Sequence, residues 1–205
     1  MNSNSGFASR RLAPVALSCL FAALMTVGAY IALPLPGTPV PIVLQNLFVM
    51  LSALLLGPVR GLVSVLVYLV LGALGLPVFS GGSGGLAHFL GPKGGYLLGY
   101  IPAVLAMGFV SGLGKERRWW RDALALVAGI VLVYGCGVPW LKVALKGSWQ
   151  KAIAGGLLPF LPGDAVKAAL ALLLAGRLGP IVERQLPRRA ARSRDARAPD
   201  AGGNG

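Results

Sequence analysis

Recurrent apolar runs constrain the fold of this chain more than any other feature. Six runs approach the roughly 20 apolar residues that a helix needs to cross a bilayer, and only 12% of the 205 residues are charged. A transmembrane β-barrel would instead show alternating segments of about ten residues. The sequence therefore predicts an all-α polytopic membrane protein with one membrane domain at residues 12–182. The expected helices lie at residues 12–33, 42–56, 62–75, 94–113, 123–138 and 164–182.

The formal net charge of +13 lies mostly outside these runs. Seven of the thirteen arginines fall between residues 177 and 197, with no aromatic residue among them. This pattern does not indicate nucleic-acid binding. We expect residues 183–205 to form a disordered basic tail facing anionic membrane lipid. Residues 1–11 are expected to form a short cytoplasmic N-terminus.

The basic residues also predict the orientation of the chain. Six helices put both termini on one side, and the cytoplasmic side of a membrane protein carries the excess of lysine and arginine. With cytoplasmic termini, fourteen of these residues are cytoplasmic, and the outer loops keep Lys93, Lys142, Lys146 and Lys151. The predicted location is therefore the inner (plasma) membrane, with both termini inside. Asp164 is the one carboxylate of six that falls on the outer side.

Two irregular segments are predicted on the outer side. The Pro loop, residues 34–41, has four prolines and must be extended. The Gly loop, residues 76–96, has the sequence LPVFSGGSGGLAHFLGPKGGY and contains the single histidine of the chain, His88. Irregular backbone at membrane depth persists where it is buried in protein or lines a cavity. We therefore expect a small-molecule site at the Gly loop.

Asp164 and Lys167 form the clearest candidate for chemistry. They are three residues apart at the start of the sixth helix, so they share one helix face. Ionisable residues in an apolar span are costly and point to function. The carboxylate could accept hydrogen bonds from N–H groups of a ligand, and the ammonium could bind an anionic group. The alternative is that Asp164 caps the helix and Lys167 extends to the membrane interface.

Catalysis is not expected. A Ser-His-Asp arrangement would have to use His88, and the sequence has no nucleophile elbow, zinc motif or nucleotide-binding P-loop. We predict no enzyme activity, no cofactor and no metal. Pro139 is expected to end the fifth helix, and the amphipathic residues 140–150 to lie at the membrane interface.

Small residues spaced four apart on the first helix would let another helix approach closely. These residues are Ser18, Ala22 and Thr26. The partner helix could belong to this chain or to another subunit.

Five motifs in order resemble the BioY family, the biotin-specific S components of energy-coupling factor (ECF) transporters. They are PVPIVLQN at 39–46, LGPVRG at 56–61, GLPVFSGGSGG at 75–85, LGPKGGYLLGY at 90–100 and PFLPGDAVK at 159–167. The resemblance extends over about residues 12–180. It implies a six-helix fold with a biotin pocket near the outer face, capped by the loop after the first helix. It also implies biotin uptake with a transmembrane T component and ATPase subunits, in which the partners bind ATP.

The resemblance also implies a set of ligand-binding positions. The PGDxxK motif places Asp164 and Lys167 against biotin, and the Gly loop lines the pocket. Two departures from the family pattern, Lys93 and Leu97, leave Lys93 or Lys167 to pair with the biotin carboxylate. Tyr96 and Trp140 could pack on the bicyclic ring or simply anchor the protein at the interface. The predicted site is Asp164, Lys167, Ser83, Gly82, Gly84, Gln45, Lys93, Tyr96 and Trp140.

For the small-residue stripe at Ser18, Ala22 and Thr26, the resemblance implies docking to the T component. Two other functions stay open from the sequence. One is an S component for a different vitamin, and the other is a structural membrane subunit in which the loops only turn the chain.

Overall fold

The computed structural model describes the backbone of residues 4–113 and 118–186, and side chains from Leu12 onward within those ranges. Most of the predicted basic tail and part of the charged connection after the fourth helix lie outside the described residues. The described helices are α1 (Asn4–Tyr30), α2 (Gln45–Ala73), α3 (Ala87–Leu90), α4 (Gly94–Ser111), α5 (Trp119–Ala144), α6 (Trp149–Gly156) and α7 (Leu161–Gln185). Strands β1 (Ala32–Leu33) and β2 (Ile42–Val43) pair antiparallel around the Pro loop.

Five of the described helices are long and apolar enough to cross a membrane. They are α1 from Leu12 onward, α2, α4, α5 and α7. Large apolar side chains on their outer faces, such as Val27, Phe109 and Val131, are more than half exposed. Lipid can cover such faces without the penalty that water would impose. The predicted all-helical, multi-pass membrane architecture is confirmed at this level.

The difference between five apolar helices and the six predicted ones lies in α2. Gly57 has φ +76° and ψ −177°, values that no helix contains. A Cβ atom at Gly61 would lie 3.2 Å from the carbonyl oxygen of Ser52. In a continuous helix, nine residues span about 13.5 Å. The chain therefore turns back at Gly57, and residues 58–73 pack against residues 45–56.

Close helix contacts depend on glycine at several places, two of which involve α4. A Cβ at Gly108 of α4 would overlap the backbone of Pro58, and one at Gly137 of α5 would overlap the ring of Tyr96. These contacts bring α4 against both α2 and α5. Tyr68, Phe79, Met25, Met107 and Leu126 form the centre of the core.

Several boundaries differ from the prediction. Pro139 does not end the fifth helix, because α5 continues to Ala144 with the proline inside it. A proline within a membrane helix is tolerated where neighbours satisfy the freed carbonyl. The predicted amphipathic segment at residues 140–150 is therefore wrong for most of its length, because residues 140–144 belong to α5 and the next helix, α6, begins only at Trp149. The Ser148 side chain caps α6 by accepting from the Lys151 amide at 3.3 Å. The second helix begins at Gln45 because residues 42–43 pair with β1.

The small-residue stripe of α1 faces the interior. Ser18 is 2% exposed, and its hydroxyl lies 3.2 Å from the Arg60 carbonyl oxygen, while Ala22 is 4% exposed. Thr26 is half-buried, and its hydroxyl donates to the Ala22 carbonyl within α1. This arrangement favours packing within the chain over an open docking face. Docking of another subunit at this stripe stays a prediction.

Candidate substrate-binding site

The Gly loop folds as a compact structure on α2. Phe79 and Ser83 form an isolated antiparallel bridge around Gly81 and Gly82, which have φ +83° and +68°. The Phe79 ring covers Gly72 of α2, where a Cβ atom would overlap it. The amide of Gly85 donates to the Gly72 carbonyl at 2.7 Å. The loop is therefore held in place by packing and hydrogen bonds rather than left free.

A cavity lies between the Gly loop, the end of the Pro loop and the first turns of α2 and α4. It contains about 390 Å³ of atom-free space, part of it open to solvent. Its apolar walls include Val40, Val43, Phe79 and Leu97. A lining of apolar walls with a few polar groups suits a small ligand with an apolar body. We call it the main cavity.

One part of the main cavity is cationic. The Lys93 ammonium donates to the Ser80 hydroxyl at 2.9 Å, and His88 stacks on Phe79 with ring centroids 5.6 Å apart. Burial lowers the pKa of His88 below its usual value, and the charge of Lys93 lowers it further. Burial likewise lowers the pKa of Lys93. An anion bound here would favour the charged form of both groups.

Ser83 connects His88 to the loop backbone. Its hydroxyl lies 2.9 Å from the Ser80 carbonyl oxygen and 2.7 Å from His88 Nε2. A hydroxyl has one hydrogen, and a carbonyl oxygen cannot donate. Both contacts are hydrogen bonds only if Ser83 donates to Ser80 and His88 Nε2 carries a proton. The arrangement leaves Nδ1 as the unprotonated nitrogen of the neutral ring.

A second part of the main cavity is polar but uncharged. Gln45 is 2% exposed and borders the cavity, as does Tyr100. The Tyr100 hydroxyl donates to Asn46 Oδ1. Within the described residues, Gln45 Nε2 has no hydrogen-bond partner, although the side chain lies beside the Tyr68 phenol. A buried donor left unpaired costs about 1–3 kcal/mol.

Behind Asn46 lies a buried network centred on Asp164. Its carboxylate accepts from Lys167 Nζ at 2.9 Å, from the Tyr134 hydroxyl at 2.7 Å and from Asn46 Nδ2 at 3.5 Å. Asp164 and Lys167 are 2% and 6% exposed. A carboxylate has about four acceptor positions, so one remains on Asp164. Asp164 also borders a second cavity, with about 270 Å³ of atom-free space, which Tyr100 separates from the main one.

The alternative role predicted for this pair is wrong. Phe160 occupies the N-cap position of α7 and makes no side-chain cap, whereas Asp164 lies inside the first turn. Lys167 does not extend to the interface, because it is buried and bonded to Asp164.

The structure brings some of the predicted site residues together and separates others. Gln45, Lys93 and Tyr96 border the main cavity, whereas Asp164 reaches it only through Asn46 and Tyr100. The remaining predicted residues support the loops or the network. In the Gly loop, Ser83 binds His88, Gly82 lies against Tyr30, and a Cβ at Gly84 would overlap the Leu76 carbonyl. Trp140 donates to the Gly91 carbonyl at 3.0 Å, and Lys167 binds Asp164. Tyr96 has a double role, because its hydroxyl donates to the Gly156 carbonyl at 2.8 Å.

Sequence reasoning missed several residues of this site. Tyr100 follows Tyr96 by four positions and therefore shares its helix face, which is a signal that could have found it. Asn46 is adjacent to Gln45, and Ser80 lies in the same glycine-rich motif as Ser83. Tyr134 gave no signal, because it is one polar group inside an apolar helix.

Comparison with known proteins identifies the family of the chain. The chain matches the BioY family over residues 1–184. It is 44% identical over 164 residues to the probable biotin transporter BioY of Pyrococcus horikoshii, covering 80% of this chain and 94% of that one. It is 38% identical to the biotin transporter BioY of Rhizobium etli, covering 85% and 96% of the two chains.

A solved structure is also similar. The crystal structure of the S-component for biotin from an ECF-type ABC transporter matches with a TM-score of 0.77 at 32% sequence identity, covering 87% of this chain and 94% of that one. On these findings together, the chain belongs to the BioY family.

Proposed function

We propose that this chain is the substrate-binding S component of an ECF-type transporter and that it takes up biotin across the membrane. The observation that carries the proposal is the match along nearly the full length of a biotin S component, in both sequence and fold. Relatives at similar coverage are biotin transporters. The protein performs no catalysis itself.

The chemistry of the main cavity supports biotin as the ligand. Biotin has a carboxylate, an apolar body and a ureido ring with two N–H donors and one carbonyl acceptor. Lys93 and His88 offer the cationic part that a carboxylate needs, and the apolar walls suit the fused rings. Gln45 and Tyr100 offer neutral polar groups for the ureido ring. Asp164 lies behind these groups and orients them, because it accepts from Asn46, which in turn accepts from Tyr100.

Lys93 is the better partner for the carboxylate. Lys167 already binds Asp164, and the two charges form a neutral pair away from the main cavity. Lys93 borders the cavity, and its hydrogen bond to Ser80 uses one of its three donors. Lys93→Ala should therefore abolish the preference for biotin over biotin amide. Lys167→Ala should weaken both ligands equally, and a preserved preference in Lys93→Ala would contradict the assignment.

Calorimetric titration of the detergent-solubilised protein with biotin tests the function itself. We expect tight binding, and biotin should remain bound through purification. If the protein shows a cooperative unfolding transition but does not bind biotin, the proposal is wrong and another vitamin is favoured. A panel of vitamins in the same assay would identify it.

The membrane arrangement of the proposal has six transmembrane segments and cytoplasmic termini. The turn at Gly57 supports six, because it divides α2 into two antiparallel segments. Lys93, Lys142, Lys146 and Lys151 then share the outer side with the main cavity. Green fluorescent protein fluoresces in the cytoplasm but not after export by the secretory route. A fusion at the C-terminus should therefore fluoresce, whereas a fusion after Gly147 should not. The opposite pattern would reverse the orientation.

The partners in this proposal are a transmembrane T component and ATPase subunits, which bind ATP. Lipid contacts the exposed apolar faces and the basic tail. No nucleic acid takes part. Co-purification of the protein with a T component and ATPase, and biotin uptake that depends on them, would support this assembly. Uptake of biotin at the same rate without them would contradict it.

A further inference from the structure

The amide of Gln45 is the starting point. Nε2 is the one buried side-chain polar atom in the described ranges that lacks a hydrogen-bond partner of good geometry, and the Tyr68 phenol is the polar group beside it. Native proteins pair the large majority of such atoms, and an exception calls for an explanation. Gln45 also borders the main cavity, so a bound molecule can reach it.

The backbone of Gln45 is held in a fixed position. A Cβ atom at Gly28 of α1 would lie 2.8 Å from the Gln45 Cα, so α1 packs directly on the first residue of α2. The preceding amide, that of Leu44, lies 3.1 Å from the carbonyl oxygens of both Gly28 and Ile31. The unpaired donor therefore sits on a rigid element rather than on a flexible loop. Such an atom suits recognition, because little ordering is needed when the ligand arrives.

We propose that Gln45 Nε2 donates a hydrogen bond to the ureido carbonyl oxygen of biotin and so determines specificity for a neutral acceptor at that position. This inference rests on the proposed function. The acceptor is a neutral oxygen, because neither Gln45 nor Tyr100, the polar groups of this part of the cavity, carries a charge to pair with an anion. The carboxylate of the ligand goes instead to Lys93 in the cationic part of the cavity.

The proposal predicts how ligands are distinguished. A site built to bond one polar group rejects an analogue lacking that group, because its own buried donor is again unpaired. Iminobiotin carries nitrogen in place of the ureido oxygen and is a cationic guanidinium at neutral pH. In the parent protein, Nε2 would face a donor instead of an acceptor. The parent should therefore bind biotin more tightly than iminobiotin.

Two substitutions test the role of the amide. Gln45→Leu removes the donor and keeps similar bulk, whereas Gln45→Glu replaces the donor with an anionic acceptor that suits a guanidinium. Gln150→Leu, at an exposed position on α6, is the matched control. Affinities for biotin and iminobiotin are measured by calorimetry on the full chain in detergent, and thermal unfolding of the ligand-free proteins is measured in parallel.

We expect Gln45→Leu to lose at least tenfold in biotin affinity and much less in iminobiotin affinity, while its ligand-free unfolding temperature is unchanged or higher. Gln45→Glu should shift the ratio of the two affinities at least a hundredfold towards iminobiotin. Gln150→Leu should match the parent throughout.

Failure of this inference and failure of the proposed function give different results. If the parent binds no biotin, the proposed function is wrong. If the parent binds biotin and the ratio of biotin to iminobiotin affinity is unchanged in Gln45→Leu and Gln45→Glu, the role of Gln45 is wrong. If Gln45→Leu does not fold, the ratio in Gln45→Glu alone decides.

Discussion

Replacing Asp164 by asparagine should damage the protein through the charge that it leaves behind. The change keeps the size of the side chain but removes its negative charge. Lys167 is 6% exposed and binds Asp164 at 2.9 Å, so its ammonium would stay buried without a counter-charge. Breaking a buried ion pair in this way costs about 3–5 kcal/mol in free energy of unfolding. We expect Asp164→Asn to lower the free energy of unfolding by this amount.

The reverse change should cost less. In Lys167→Met the carboxylate keeps its hydrogen bonds from Tyr134, at 2.7 Å, and Asn46, at 3.5 Å. The buried carboxylate also loses its counter-charge, so we expect a loss at the lower end of the same range, about 3 kcal/mol. In the double variant both charges are gone, and neither partner is left unpaired. The double variant should therefore be more stable than Asp164→Asn alone.

A double-mutant cycle measures this coupling. The free energy of unfolding is obtained by denaturant titration of the four ligand-free proteins in detergent. We expect the effect of the double variant to fall short of the sum of the single effects by at least about 1.5 kcal/mol, which is within the range for residues in contact. Additive effects within about 0.5 kcal/mol would refute the pairing of the two side chains. A double variant less stable than Asp164→Asn would refute the argument about the uncompensated charge.

Three further predictions follow from the structure. The pKa of His88 is lowered in the free protein and should rise when a carboxylate binds, so biotin affinity should increase as the pH falls from about 8 to about 6. Calorimetry should show no such trend for biotin amide or for the His88→Gln variant. An identical trend in His88→Gln would remove His88 from the site. Gly84→Ala should lower the unfolding temperature and weaken biotin binding, because its Cβ would overlap the Leu76 carbonyl oxygen, whereas Gly135→Ala, in open space, should leave both unchanged; equal behaviour of the two variants would contradict this packing of the Gly loop. Ala22→Leu should cost about 1–3 kcal/mol in free energy of unfolding through overpacking, whereas Ala23→Leu on the exposed face should cost little; a stable Ala22→Leu protein that fails only to assemble would restore the docking role of the stripe.

Local patterns predicted those parts of the fold and site that depend on near neighbours in sequence. The shared face of Asp164 and Lys167 follows from a spacing of three on a helix. The tight turn near Gly57 follows from a glycine that can take positive φ followed by a proline. The membrane architecture follows from the length of the apolar runs.

Contacts between distant elements could not be predicted in this way. Asp164 meets Tyr134 and Asn46 only because α5, α2 and α7 converge, and no local pattern encodes that meeting. The pairing of Lys167 with Asp164, instead of two separate ligand contacts, depends on this convergence. Which serine contacts Lys93 and which contacts His88 depends on the bridge between Phe79 and Ser83. This bridge turns the Ser80 hydroxyl to Lys93 and the Ser83 hydroxyl to His88. The sequence of α5 does not show that the helix continues through Pro139, because this depends on the neighbours around α5.

The balance of charge around the main cavity explains why its ligand should be a monoanion. Asp164 and Lys167 cancel each other, and the lowered pKa of His88 favours the neutral ring. Lys93 is then the one charge beside the cavity that no described carboxylate offsets. Burial already disfavours its ammonium form, as the lowered pKa of Lys93 indicates. A ligand with a single carboxylate restores neutrality, and charges within a membrane are costly when unpaired. Biotin meets this requirement, whereas biotin amide leaves Lys93 unpaired and a dianion adds an unmatched charge. The protein should therefore select by ligand charge as well as by shape, and the Lys93→Ala variant should lose the first kind of selection while keeping the second.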